Sequence, residues 1–221
     1  SGDNICYHGV LDMYRLPKTA SYIYAAQQEQ KPVMAVLSAL ALGDYPMMLL
    51  DKIYVATNLE FVKVYKNDIY IDTFYPEQNS SLPHPLIVID DFIGSQLVEN
   101  EKVTPKDSEK IKELFKVISE YGQGLPLRYK LQMFYLLKKY HWSLDRAVGL
   151  YYKYHNASGV YRFEGYSKGE LVKTVIREPV KSTSYKMEID ARELVIDSTY
   201  DVTRVVISKI DQNNNVLDYA F

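Results

Sequence analysis

The stretch Ile53–Phe74, IYVATNLEFVKVYKNDIYIDTF, constrains the fold more than any other part of the 221-residue chain. Two runs rich in β-branched and aromatic residues, Phe61–Lys66 and Ile69–Phe74, flank Asn67-Asp68. Asn and Asp tolerate the positive φ angles of a two-residue loop, so the pattern predicts an antiparallel hairpin. A third strand, Ile53–Thr57, enters through a polar corner at Asn58 and Glu60. Strands whose alternating faces are both partly apolar need a further layer against them.

The rest of the chain supplies such layers and interrupts them with helices. Pro17 suits the first turn of a helix, and Ala20, Ile23, Tyr24 and Gln27 recur at helical spacing, predicting a helix over 17–29 that Pro32 ends. Lys31–Pro46 reads as a connector, and Glu77–Pro85 (EQNSSLPHP) as a loop. Thr104-Pro105-Lys106-Asp107 combines an N-cap, a first-turn proline and an acidic third residue. Behind it Ile111, Leu114, Phe115, Ile118 and Tyr121 form an apolar stripe that Gly122 closes. A second helix from Pro126 turns Tyr129, Met133, Leu136, Leu137 and Tyr140 inward, and a third, capped by Ser143, turns Ala147, Leu150, Tyr151 and Tyr154 inward. From Val160 the period returns to two, with a hairpin around Ser167-Lys168-Gly169. A last set over 185–189, 202–210 and 216–219 is too small to close a sandwich. The expected fold is mainly β: a β-sandwich interrupted by a three-helix insertion, then a second sandwich cut short.

A net charge of -2 and a pI near 6.1 argue against a nucleic-acid or anionic-membrane surface. No apolar run approaches a membrane span, and no signal peptide is visible at the start. The single cysteine, Cys6, excludes an internal disulfide framework and suits either the cytoplasm or secretion by a bacterium. The 21 tyrosines fit half-buried packing positions, and some could serve as sugar-stacking platforms.

Chemistry is hard to find in these residues. His8, His84, His141 and His155 show no i,i+3 or i,i+4 pair, so no helical metal site is expected. Asp90 and Asp91 are adjacent and point to opposite sides of a strand, so they cannot share one reacting bond; one of them is expected to cap the turn before Phe92. No phosphate-cradling glycine loop and no G-x-S-x-G elbow occur. No catalytic residue, metal or cofactor is assigned.

The segment YHGVLDMYRLPKTASYIYAAQQ, Tyr7–Gln28, resembles the end of the catalytic barrel in glycoside hydrolase family 2, the β-galactosidases and β-glucuronidases. Gly9, Asp12, Tyr14, Arg15, Pro17 and Lys18 occupy that family's G-[VIL]-x-D-x-[FY]-R-x-P-K turn. IYVATNLEFVKVYKNDIYIDTF is similar to the immunoglobulin-like domain that follows. LPHPLIVIDDFIG (Leu82–Gly94) and YRFEGYSKGELVKTV (Tyr161–Val175) resemble bacterial members that carry a helical insertion there. The tail resembles the first strands of a further such domain.

The resemblance implies a division into a barrel end over 1–31, an Ig-like sandwich over 44–96 and 158–181, a helical insertion over 97–157, and the start of another Ig-like domain over 182–221. It also implies a retaining glycosidase parent whose two glutamates lie upstream of this chain. The partners would be the upstream barrel of the same polypeptide and, through it, a carbohydrate substrate; a homo-oligomer contact is a further expectation. Asp3, Asn4, Tyr7 and His8 are the candidates to reach the substrate rim, because barrel active sites sit at the C-terminal ends of the strands. Rival readings are a β-glucuronidase or β-mannosidase parent, a carbohydrate-binding module using Tyr152 or Tyr166, and a protein-interaction surface on the helices.

Overall fold

The computed structural model describes residues 9–38, 40, 52–155 and 158–217. Helix and strand occupy comparable shares, and the sheets are open. Two antiparallel sheets share one apolar core. The first comprises β1 (Met34–Val36), β2 (Ile53–Thr57) and β5 (Ile87–Ile89), in the order β1-β2-β5. The second orders β4 (Ile69–Phe74), β3 (Phe61–Lys66), β6 (Tyr161–Ser167) and β7 (Glu170–Arg177) as β4-β3-β6-β7. Ile53, Val55, Ile87 and Ile89 of the first face Val62, Val64, Tyr161 and Phe163 of the second, all fully buried.

The hairpin forms as its residues dictate. Asn67 (φ 51°) and Asp68 (φ 62°) adopt the two positive φ angles of a tight loop whose twist matches the strands. Asn67 also accepts the Val160 amide at 2.9 Å, which brings β6 beside β3 although the two residues lie 93 positions apart in the chain. Lys168 (φ 52°) and Gly169 (φ 79°) close the β6–β7 hairpin in the same way. Gly94 (φ 57°) lies where a Cβ would sit 2.3 Å from the Ile71 carbonyl oxygen, so only glycine lets the chain leaving β5 pass over β4.

Between β5 and β6 lie α2 (Gln96–Glu101), α3 (Pro105–Tyr121), α4 (Leu127–Lys139) and α5 (Leu144–His155). Thr104 caps α3 as its sequence predicts, accepting the Asp107 amide, and Ser143 accepts the Arg146 amide at 3.1 Å. The helices enclose their own core around Leu97, Ile111, Leu114, Phe115, Leu136, Leu150 and Tyr151. Finally β8 (Thr183–Ile189) and β9 (Val205–Asp211) form a two-stranded ribbon.

Several expectations change. The helix expected over 17–29 contracts to α1 (Ser21–Ala25), because Pro17 pairs with Leu11 in a β-bridge and the Lys18 amide bonds the Val10 carbonyl. The connector at 31–46 contains strand β1, which three residues were too few to signal. A short helix α2 of six residues precedes the three expected helices. Tyr121, placed on the buried stripe of α3, is 51% exposed. The last set holds two strands and a single Ile210–Val216 bridge among the described residues, and β9 begins at Val205 rather than Val202.

Candidate functional site

The motif turn at Gly9–Lys18 is organised by one carboxylate. Asp12 Oδ1 accepts the amides of Tyr14 and Leu16, each at 2.8 Å, while its own amide donates to the Leu16 carbonyl at 2.9 Å. Arg15 takes a positive φ of 63° at the tip. Asp12 is thus a turn-builder, committed to backbone amides.

Three contacts fasten this segment to the rest of the chain. Asn58, the polar corner read from the sequence, donates from Nδ2 to the carbonyls of Gln28 (2.6 Å) and Lys31 (2.8 Å) and accepts the Val33 amide at 2.7 Å. Gln27 exchanges two hydrogen bonds with the backbone of His84, donating to its carbonyl at 2.7 Å and accepting its amide at 3.0 Å. His84 Nε2 lies 2.6 Å from Glu29 Oε1. Arg204, ahead of β9, donates to the Tyr14 carbonyl at 2.7 Å and pairs with Asp190 at 3.1 Å. The two most specific motifs, Tyr7–Gln28 and the LPHP segment, therefore meet in space. Neither motif carries a local signal for this contact, which joins residues 57 positions apart.

Asp91, Glu101, Asp107 and Glu178 are held as anions by the donors around them. Asp91 caps the turn before Phe92: its Oδ1 accepts the Ile93 and Gly94 amides and its Oδ2 the Lys112 ammonium at 2.7 Å. Burial pushes its pKa up, but these donors outweigh burial and leave it below the usual carboxylate range. Asp90 pairs instead with Lys116 at 2.9 Å. Glu101 shows the same balance, burial opposed and exceeded by Lys153, Tyr154 and Arg146. Asp107, buried at the start of α3, is held far down chiefly by Lys139, with Tyr140, Lys110 and Thr104 adding donors. Glu178 is lowered to about 2, first by Lys181 and then by Asn213 and Gln212.

A glycosidase acid/base needs the opposite, a carboxyl raised toward neutrality. None of these four carboxyls offers that. Among the described residues no group of three or more His, Cys, Asp or Glu side chains is arranged to hold a metal.

A cleft of about 330 Å³ lies between the turn after β5 and helices α3 and α5. Its charged walls are already engaged: Asp91 and Glu109 pair with Lys112, Asp90 with Lys116, and Glu113 with Arg128 and Tyr129. Asp3, Asn4, Tyr7 and His8 lie outside the described residues. The ring of Tyr166 is stacked on Phe61 (centroids 5.1 Å, 10° apart) and carries the Lys63 ammonium 4.7 Å from its centroid, leaving little open face for a sugar. Tyr152 sits edge-on to Tyr151 beside an apolar groove that no sequence pattern announced.

No protein-family model matches the chain. Among characterised proteins it is 36% identical over 104 residues to a β-galactosidase of Thermoanaerobacterium thermosulfurigenes, covering 44% of this chain and 14% of that protein. It is 40% identical over 90 residues to a β-galactosidase of Thermoanaerobacter pseudethanolicus, covering 38% of this chain and 12% of that protein. In fold it is similar to the crystal structure of a β-glycosidase from Bacteroides vulgatus, with a TM-score of 0.51 and 14% identity over 96% of this chain and 18% of that one. The chain thus spans less than a fifth of the length of each of these three proteins. All three of these proteins are glycosidases. The resemblance to glycoside hydrolase family 2 read from the motifs stands, with β-galactosidases as its relatives in sequence.

Proposed function

We propose that this chain is the non-catalytic region that follows the catalytic barrel of a bacterial family 2 glycosidase, with a retaining β-galactosidase as the parent enzyme. In this reading residues 1–31 end the barrel, the two-sheet body is an Ig-like sandwich divided into 44–96 and 158–181, the helices at 97–157 are an insertion in it, and 182–221 begin a further Ig-like domain. The chain then acts as a scaffold: the sandwich buttresses the barrel end. The observation that carries the reading is the joint at Asn58, Gln27 and His84, which clamps the barrel-like segment onto the sandwich. The exposed apolar side chains of the β8–β9 ribbon, Tyr185, Met187 and Ile207 among them, support a sheet completed by further strands.

The test is hydrolysis of chromogenic β-galactoside, β-glucuronide and β-mannoside by this chain and by the same chain joined to an upstream barrel. Silence from the chain and turnover of the β-galactoside by the longer protein is the expected result. Turnover by the chain itself overturns the scaffold reading, and turnover of another sugar by the longer protein replaces the parent.

A second reading, a contact between copies through the helices, is favoured by α4. Leu127, Leu131 and Phe134 line its solvent side, each more than half exposed, opposite its buried face. Sedimentation of the chain tests it, a monomer at all concentrations removing it.

A further inference from the structure

We propose that Asn79 is an acceptor site for N-linked glycosylation by a bacterial oligosaccharyltransferase. Glu77-Gln78-Asn79-Ser80-Ser81 sets an acid two residues before an asparagine and a hydroxyl two residues after it, with no proline between them. Asparagine followed two residues on by serine or threonine is the acceptor sequence of N-linked glycosylation, and its place is a surface loop. The bacterial enzymes ask for the acid as well. Asn156-Ala157-Ser158 is a second such triplet, but Tyr154 stands where the acid would be. The chain thus carries one full five-residue site and one that lacks its acid.

The full site lies where a transferase can reach it. It belongs to the 75–86 connection between β4 and β5, which holds no helix or strand. Glu77, Gln78, Asn79 and Ser81 are exposed, and Gln78 and Asn79 form a turn. Both ends of the loop are fixed: the Tyr75 ring lies 5.6 Å from that of Phe61, and Gln27 grips the backbone of His84. Between these posts Ser80 Oγ accepts the Leu82 amide at 3.2 Å. Among the described residues no hydrogen bond engages the side chains of Glu77, Asn79 or Ser81. Other asparagines differ: Asn58 Nδ2 donates to the Gln28 and Lys31 carbonyls, Asn213 Nδ2 to Glu178, and Asn215 Nδ2 to the Ile176 carbonyl. The difference bears on the chemistry. Transfer forms a bond from Asn79 Nδ2 to the anomeric carbon of a lipid-diphosphate-linked oligosaccharide. The bond from that carbon to the diphosphate oxygen breaks, the lipid diphosphate leaves with the electron pair, and one amide proton passes to a base of the transferase. An Nδ2 committed to protein acceptors must first give up those bonds, and Asn79 gives up none. Ser81 and Glu77 remain to be gripped by the enzyme, Glu77 through a charge-assisted hydrogen bond. The lipid-linked donor is used outside the cytoplasm, so the proposal takes the secreted of the two compartments that a single cysteine suits. It is independent of the scaffold reading, since it is read by mass and not by turnover.

The test produces the 221-residue chain, behind a secretion signal, in a bacterial periplasm that contains an oligosaccharyltransferase and its lipid-linked donor. An unrelated acceptor protein in the same cells shows that the transferase is active. Expected is a mass raised by one glycan, carried by the tryptic peptide 67–102 that contains Asn79 and not by the peptide 154–162 that contains Asn156. Asn79→Gln removes the glycan. Glu77→Gln, which keeps the side chain's size and removes its charge, lowers occupancy by about tenfold or more. Both positions are exposed, so these variants are expected to fold, and matching thermal melts by circular dichroism establish it. An unmodified chain from cells whose control protein is modified overturns the proposal. So does equal occupancy of Asn79 and Asn156, or full occupancy in Glu77→Gln.

Discussion

Lys66 at the end of β3 is buried, 8% exposed, with its ammonium 5.5 Å from the ring centroid of the fully buried Tyr161. Burial lowers its pKa from 10.5 to about 8. The folded state therefore holds its proton less tightly than the unfolded chain. The unfolded state binds more protons between the two values, so stability rises as pH climbs from about 8 toward 10.5. At neutral pH the charged form costs about 3 kcal/mol, and about 2 kcal/mol of that is regained by pH 9.5. Tyr161, Tyr151 and Tyr154 have raised pKa values and weaken the fold only above about pH 10, where the unfolded chain begins to ionise. Urea unfolding followed by circular dichroism at pH 7, 8.5 and 9.5 reads the slope. Lys66→Met keeps the apolar stem and removes the charge, so it is expected to be more stable than the unaltered chain at pH 7 by about 2 kcal/mol and to lose the pH dependence over this window. Stability that is flat across the window, or a slope that survives in Lys66→Met, refutes the reasoning.

Asn58→Ala removes three hydrogen bonds at the joint and is expected to cost about 2–3 kcal/mol. Hydrogen exchange at the Val33 amide should accelerate while the β3–β4 ladder keeps its protection. Asp107→Ala leaves Lys139, Lys110 and Tyr140 without their shared acceptor and should destabilise the helical layer by about 3 kcal/mol in thermal unfolding. Because the folded pKa of Asp107 is depressed, its contribution is complete above the unfolded value of 3.8 and fades as pH falls below it. Asp107→Asn should flatten acid unfolding of the helices there. Gly94→Ala drives a Cβ into the Ile71 backbone at a positive φ, and a drop of about 2 kcal/mol or more in the unfolding free energy is expected; a change within 0.5 kcal/mol contradicts the close approach.

What was legible in the sequence were the features with local causes. The Asn67-Asp68 loop needs two residues that tolerate positive φ, and its strands follow from their side chains. The Thr104 cap and the three stripes of α3, α4 and α5 likewise follow from bonds and periods within a few residues. Strand β1 was illegible because its identity comes from pairing with β2, in the register Met34 to Thr57, rather than from its three residues. The helix expected at 17–29 failed for a related reason: the Asp12 side chain and the Leu11–Pro17 bridge claimed backbone groups that the helical pattern assumed were free.

The candidate sites divide along the same line. The motif residues Gly9, Asp12, Arg15 and Pro17 and the LPHP segment could be named from the chain, and with them the family they resemble. That Gln27 grips His84, that four donors converge on Asp107, and that Trp142 and Ala147 line a groove between three helices could not. By itself the sequence determined the turns, caps and apolar faces, because these depend on the conformational preferences of neighbouring residues. Only the tertiary structure decided the joint, the state of the buried charges and the groove, because each depends on the distance between side chains that the chain keeps far apart.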